Sequence, residues 1–162
     1  MRGALGLLMA TGVGCVLAQD ATYTVRQMTL ESALEAAQAA LAACRKSGYQ
    51  IAVAVVDRAG LPQVLLRDRY AGAHTADMAL DKAWTAVSFR TSTGALAHAT
   101  LPGTPQSGVR ERPRVAAVAG GVLVEAGGSL LGGIGVSGAP GGDADEMCAN
   151  AGMAAIRDKL EF

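Results

Sequence analysis

A glycine-rich stretch near the end of the chain, "GGIGVSGAPGGDADEMC" from Gly132 to Cys148, limits the possible folds most strongly. Within it, Gly133, Gly135 and Gly138 have the G-x-G-x-x-G spacing of a dinucleotide-binding loop. That motif binds pyrophosphate when its glycines turn from a parallel strand into the N-terminus of a helix. Here an apolar hairpin strand precedes the glycines, and "APGG" separates them from the helix. The pattern therefore favours a tight strand exit that packs closely against the last helix, with any pocket elsewhere, beside the middle helix.

The residues that follow the glycines are acidic and also argue against a phosphate site. Asp143, Asp145 and Glu146 stand at the start of the last helix and would repel phosphate. Their oxygens suit calcium or magnesium, but the spacing fits no EF-hand loop. Acidic residues at a helix start are common partners of the helix dipole, and Asp143 with Glu146 has the spacing of a capping box. We interpret them as a helix start.

Two segments with helical spacing enclose a pair of strands in the first half of the chain. The segments are "TLESALEAAQAALAACRKSGY" and "AGAHTADMALDKAWTAVSF". The predicted buried face of the first helix comprises Leu30, Leu34, Ala37, Leu41 and Cys44, and that of the second comprises Ala76, Leu80, Ala83 and Val87. Between the helices, "QIAVAVVD" and "LPQVLLRD" are predicted strands, joined in a hairpin by the turn "DRAG".

Glycine and proline breaks divide the second half of the chain. "TSTGALAHATLPGTPQSGVRERPR" predicts a short helix and a loop, and "VAAVAGGVLVEAGGSLLGGIGVSG" predicts strand segments. "DADEMCANAGMAAIRDKL" predicts a closing helix. Because successive strands meet mostly through hairpins, the predicted fold class is α+β, an antiparallel sheet flanked by helices in a single domain.

The length and charge of the chain exclude several classes of protein. A chain of 162 residues suits one domain, and a formal net charge of +0 without a basic run predicts no binding to nucleic acid or anionic lipid. Residues 1–18, "MRGALGLLMATGVGCVLA", are typical of a cleaved secretory signal. Their apolar run is shorter than the roughly 20 residues that span a bilayer. We therefore expect residues 19–162 to form the mature domain, in the periplasm or outside the cell.

The cysteines leave two interpretations open. Cys15 lies in the leader, where lipid attachment is an alternative, but Gly12 stands where a lipoprotein signal usually has a bulky aliphatic residue. Cleavage would leave Cys44 and Cys148, an even pair that can form a disulfide in an oxidising compartment. Two free thiols buried on helix faces would fit the sequence as well.

The glycine-rich stretch also carries a family resemblance. "VAGGVLVEAGGSLLGGIGVSGAPGGDADEMCANAGMAAI", together with "HTADMALDKAWTAVSF" and "IAVAVVDRAGLPQVLLRD", resembles the GlcG/HbpS family and the C-terminal domain of PduO-type proteins. The resemblance covers nearly all of residues 28–160, with one departure at Leu123, where the family commonly has proline. It implies a profilin-like α+β fold, frequent homo-oligomers and, in some exported members, haem binding in sensing or in handling iron.

The resemblance also suggests which residues would hold haem. Haem iron takes an axial His, Met, Cys or Tyr, and the propionates need partners. His74 matches the family's "HTA" motif and is the candidate iron ligand, with Met78 one turn later lining the same slot. Arg110 and Arg112, with Arg114 in "VRERPR", are candidate propionate partners. Weaker candidates for the iron are His98 and Tyr70. In each case the alternative is a structural role, such as a helix cap for His74 or packing for Met78.

Two other functions remain open from the sequence. The chain lacks H-E-x-x-H, G-x-S-x-G and C-x-x-C, so no secure catalytic motif is present. Proton transfer on, or binding of, a small carboxylic acid would require charged groups to converge near the hairpin and the second helix. Those groups are Asp57, Arg67, Asp68, His74, Asp81 and Lys82. The third possibility is a module that binds a partner protein without catalysis. We favour a haem-binding sensor, scavenger or accessory factor.

Overall fold

The computed structural model describes residues 21–160, so the predicted signal at 1–18 lies outside the described residues. The helices are α1 (Leu30–Lys46), α2 (Thr75–Phe89), α3 (Thr93–Ala99) and α4 (Gly142–Ile156). The strands are β1 (Ala52–Asp57), β2 (Pro62–Arg67), β3 (Gly121–Ala126) and β4 (Ser129–Ser137). Short 3-10 helices span Ser107–Glu111 and Arg157–Lys159. The predicted order of elements is confirmed.

The four strands form one sheet in the order β2-β1-β4-β3, and every neighbouring pair is antiparallel. Side chains along β1 alternate between the two faces, as a strand requires. Val53 and Val55 join the core with α1 and α4, whereas Ala54 and Val56 pack with α2 on the other face. The sheet therefore lies between two helices on one side and a single helix on the other, which confirms the predicted α+β fold.

The glycines of β4 bring the sheet close to α2. A Cβ atom on Gly133 would lie 2.8 Å from Cγ1 of Val87, and one on Gly135 would lie 2.0 Å from the carbonyl oxygen of Ala79. The prediction of close packing is thus confirmed, but the predicted partner, the last helix, is wrong. These glycines lie on the face that α2 covers, and α4 packs across the opposite face.

Replacing Gly135 with alanine is expected to lower the free energy of unfolding by about 1–3 kcal/mol or more, because the new methyl group would overlap backbone. Chemical denaturation measures the loss. Gly108→Ala is the matched control, since a Cβ at that position would have no atom within 4 Å. Equal stability of the two variants would show that α2 can move away from β4 at little cost.

The buried face of α1 consists of four alanines together with Leu41 and Cys44. Ala33, Ala36, Ala37 and Ala40 are fully buried, whereas Leu30 is 57% and Leu34 is 39% exposed. The predicted burial of the two leucines is therefore wrong. Small residues are required because α4 approaches closely: a Cβ on Gly152 would lie 2.6 Å from the carbonyl oxygen of Ala36. Periodicity alone could not distinguish an alanine face from a leucine face.

A disulfide joins α1 to α4. Cys44 and Cys148 are bonded, with their Cα atoms 5.5 Å apart, and both residues are fully buried. The bond closes a separation of 104 residues in sequence. Of the two interpretations left open by the sequence, the structure has the disulfide.

Candidate functional site

A cleft of about 470 Å³ opens where β4 ends and α2 begins, and we call it the His74 cleft. Its walls include Tyr70, Gly72, His74, Thr75, Asp145 and the segment 137–142. The end of the glycine-rich stretch is therefore part of the cleft. The expectation that any pocket lies away from that stretch is wrong, because the chain leaves β4 past the N-terminal end of α2.

His74 occupies the position before the first residue of α2, but its imidazole does not cap the helix. Among the described residues its side chain makes no capping hydrogen bond. The turn is held instead by buried Thr75, whose hydroxyl donates to the carbonyl oxygen of Gly72 over 2.7 Å. The imidazole is exposed and lies against Gly72, where a Cβ would come within 2.8 Å of Cε1 and 3.0 Å of Nδ1. The absence of a side chain at Gly72 thus leaves the space that the His74 ring fills.

The two other candidate donors near His74 differ in position. Tyr70 is 79% exposed and lines the His74 cleft directly. Met78 is 36% exposed and lies one turn along α2, where its amide donates to the carbonyl oxygen of His74 over 3.1 Å. Tyr70 therefore shares the cleft with His74, while Met78 follows it along the helix.

A buried ion pair supports the wall of the cleft. The Lys82 ammonium donates to Oδ2 of Asp145 over 2.7 Å and to the carbonyl oxygen of Val136 over 3.0 Å. Oδ1 of Asp145 accepts from the amide of Ala139 over 2.9 Å. Burial raises the pKa of the Asp145 carboxyl, while the hydrogen bond and charge of Lys82 oppose the shift. The pair thus contacts the backbone on both sides of the end of β4, at Val136 and at Ala139.

Sequence reasoning missed this pair. It grouped Lys82 with the charged candidates for acid–base chemistry or acid binding, and it interpreted Asp145 as part of a helix start. One signal was available, because Lys82 falls between Ala79 and Ala83 on the face of α2 that packs against the sheet. A lone lysine on an apolar face requires a buried partner.

The arginines predicted for propionates lie in a different place. The Arg110 guanidinium donates to the carbonyl oxygen of Thr100 over 2.6 Å and also to that of Ala97. It lines a separate cleft of about 550 Å³ that also contains His98. Arg112 is exposed at the end of the adjacent 3-10 helix. The structure brings Arg110 to His98 and not to His74, and a ligand role for either arginine stays a prediction.

The charged groups considered for acid–base chemistry each have a different partner. Asp57 accepts two amides of its own turn, Asp68 binds Arg45, Asp81 binds Arg114, and Lys82 binds Asp145. Arg67 donates to the carbonyl oxygen of Ala71. The structure thus spreads these groups over separate contacts rather than gathering them around His74.

Residues 21–160 show neither of two features that would suggest another kind of site. None of the helices there is both long and apolar enough to cross a membrane. That part of the chain also holds no group of three or more His, Cys, Asp or Glu side chains arranged for a metal ion. Of the acidic residues at the start of α4, Asp145 is paired with Lys82, and Glu146 accepts from the amide of Gly120 over 3.3 Å.

Comparison with known proteins gives consistent matches. Residues 28–154 match a family described as "Haem degrading protein HbpS-like". A crystal structure of an HbpS double mutant from Streptomyces reticuli is 39% identical, with a TM-score of 0.79, over 90% of this chain and 99% of that chain. A crystal structure of a PduOC:Heme complex is 28% identical, with a TM-score of 0.77, over 80% of this chain and 95% of that chain. An uncharacterized 15.0 kDa protein of Citrobacter freundii is 30% identical over 70% of this chain and 82% of its own length.

Proposed function

Because the chain belongs to the HbpS-like family, we propose that it binds haem in the His74 cleft, with His74 as the ligand to iron. The observation that carries the proposal is the exposed His74 imidazole, which caps no helix and opens into a cleft. The similarity to PduOC, which was solved in complex with haem, supports the choice of ligand.

The cleft offers two side chains of the kinds that bind haem iron. Imidazole and phenol are both established haem ligands, and the cleft offers His74 and Tyr70. Its volume of about 470 Å³ falls within the usual range for small-molecule sites, about 300–1,000 Å³. Bound haem would supply an iron centre that changes oxidation state and binds small ligands. His74 would orient the haem, and the segment 137–142 would limit how far the haem can enter the cleft.

We propose further that the protein is exported to the periplasm or beyond, where it acts as a haem sensor, scavenger or accessory factor. The signal-like leader at 1–18 supports export, and the buried disulfide between Cys44 and Cys148 is typical of oxidising compartments. A homo-oligomer also remains a proposal. It would be tested by light scattering with and without hemin.

A hemin titration of the purified domain tests the haem proposal. The wild type should give a Soret band that differs from that of free hemin, and His74→Ala should shift or abolish it. His98→Ala is the matched control, because His98 is also an exposed histidine but lines the separate cleft that contains Arg110. A wild-type spectrum identical to free hemin, or equal spectra for the wild type and His74→Ala, would show that the proposal is wrong.

Gly72→Ala provides a second test that leaves the imidazole in place. Its methyl group would occupy the space of the His74 ring, so the ring must move, but an exposed side chain can move at little cost in stability. We expect an altered Soret maximum with a free energy of unfolding within about 0.5 kcal/mol of wild type. An unchanged spectrum would mean that the position of the His74 ring does not govern the iron environment.

A further inference from the structure

A third cleft, which lies beside the His74 cleft, is rich in arginine. It has a volume of about 560 Å³, and we call it the arginine cleft. It is lined by Arg45, Gln50, Arg67, Asp68, Arg69 and Tyr70. Three guanidinium groups and one carboxylate give its walls an excess of positive charge.

The single carboxylate of the arginine cleft is already engaged. Asp68 is 4% exposed; its Oδ1 accepts from Nε of Arg45 over 2.9 Å, and its Oδ2 accepts from the amide of Ile51 over 3.3 Å. Arg45 and Asp68 therefore neutralise each other. The net positive charge of the cleft comes from Arg67 and Arg69.

The two remaining arginines are suited to an anion. Nη1 of Arg67 donates to the carbonyl oxygen of Ala71 over 2.6 Å, which orients the guanidinium while using one of its five N–H donors. The Arg69 guanidinium lies 5.9 Å from the centroid of the Tyr70 ring. Paired N–H groups of a guanidinium match the two oxygens of a carboxylate.

The arginine cleft and the His74 cleft are adjacent and share part of their walls. Tyr70 and Gln50 line both of them, and Tyr70 is mostly exposed. A ligand held by His74 could therefore extend past the Tyr70 ring to the arginines. Haem has this form, since its iron is at the centre of the ring and its two propionates project from one edge.

We propose that Arg67 and Arg69 form a carboxylate-binding subsite that extends the His74 cleft. If the bound carboxylates are haem propionates, this inference rests on the proposed function. A free small carboxylic acid presents the same group and is the other possible source. The subsite is an alternative to the sequence-based assignment of the propionates to Arg110 and Arg112. Arg110 lines the separate cleft that contains His98, and Arg112 follows the 3-10 helix Ser107–Glu111.

Hemin and its dimethyl ester, titrated against the same variants, test the subsite. Arg67→Gln and Arg69→Gln should each weaken hemin binding about 3- to 10-fold while leaving the Soret maximum in place, because His74 is intact. The dimethyl ester, which lacks free carboxylates, should bind the wild type more weakly and be insensitive to both substitutions. Arg157→Gln is the matched control and should not change hemin affinity, because Arg157 is an exposed arginine that lines neither cleft. Arg67→Gln loses the hydrogen bond to Ala71 and could therefore impair folding. Arg69 is exposed, so Arg69→Gln tests the subsite independently of that contact.

The outcomes separate the subsite from the haem proposal. If hemin binds with a shifted Soret band but the two arginine variants match the wild type, or the ester binds as tightly as hemin, the subsite is wrong and haem binding stands. If hemin does not bind, the haem proposal is wrong. The subsite is then tested by thermal denaturation of the wild type and the arginine variants with glycolate or succinate. Thermal stabilisation by either acid that disappears in both arginine variants would support the subsite with a free acid as its source. No stabilisation would overturn it.

Discussion

Replacing both half-cystines, as in C44A/C148A, is expected to lower the free energy of unfolding by about 4–5 kcal/mol. The disulfide closes a separation of 104 residues, and a loop of that length restricts the unfolded chain far more than it restricts the folded one. The bond also joins α1 to α4, whose contact includes the small residues Ala36, Ala40 and Gly152. A loss of this size is a large part of the stability of a typical domain.

Urea denaturation with and without a reductant separates the bond from the side chains. The wild type should become less stable when reductant is added, whereas C44A/C148A should not respond. The difference in the free energy of unfolding between reduced wild type and C44A/C148A reports the packing of the two buried thiols. A wild type that is indifferent to a reductant under unfolding conditions would mean that the pair does not form the disulfide in solution.

The fold was largely predictable from the sequence because its elements have strong local signals. Thr29 accepts the amide of Ser32 as a helix cap, and Gly48 follows α1 with a φ of 80°. The β-branched apolar run of β1 and the turn after Asp57 indicate the first hairpin. Which helix covers which face of the sheet was not predictable, because that depends on packing between distant elements. The glycines of β4 therefore indicated a close approach without identifying α2 as the partner.

The site was predictable only in part. The family resemblance made His74 a candidate ligand, which stays a prediction, and the structure adds the cleft and the space at Gly72 that positions its ring. The position of Lys82 on an apolar helix face indicates that it needs a buried partner, but that partner, Asp145, is 63 residues away and no local pattern identifies it. The adjacency of Arg67 and Arg69 to the His74 cleft follows from the chain path between β2 and α2, which sequence spacing does not fix.

Lys82→Met is expected to lower the free energy of unfolding by about 3–5 kcal/mol at neutral pH. Methionine keeps most of the apolar stem but removes the ammonium that donates to Asp145 and to Val136, so a carboxylate would remain buried without its cation. The double variant K82M/D145N removes that charge and retains an oxygen for the amide of Ala139. It should therefore recover part of the loss.

The pH dependence of Lys82→Met distinguishes an unpaired charge from simple loss of packing. Burial already raises the pKa of Asp145, and the variant removes the lysine that opposes the shift. A carboxyl with a raised folded-state pKa contributes stability below the ordinary aspartate range and loses it as the pH rises through the raised value. The cost of the substitution should accordingly shrink from pH 7 to pH 4, whereas K82M/D145N should show little of this change. If Lys82→Met lowers the free energy of unfolding equally at both pH values, the loss comes from packing and not from an unpaired charge. Contacts other than the ion pair would then hold the segment 137–142 in position.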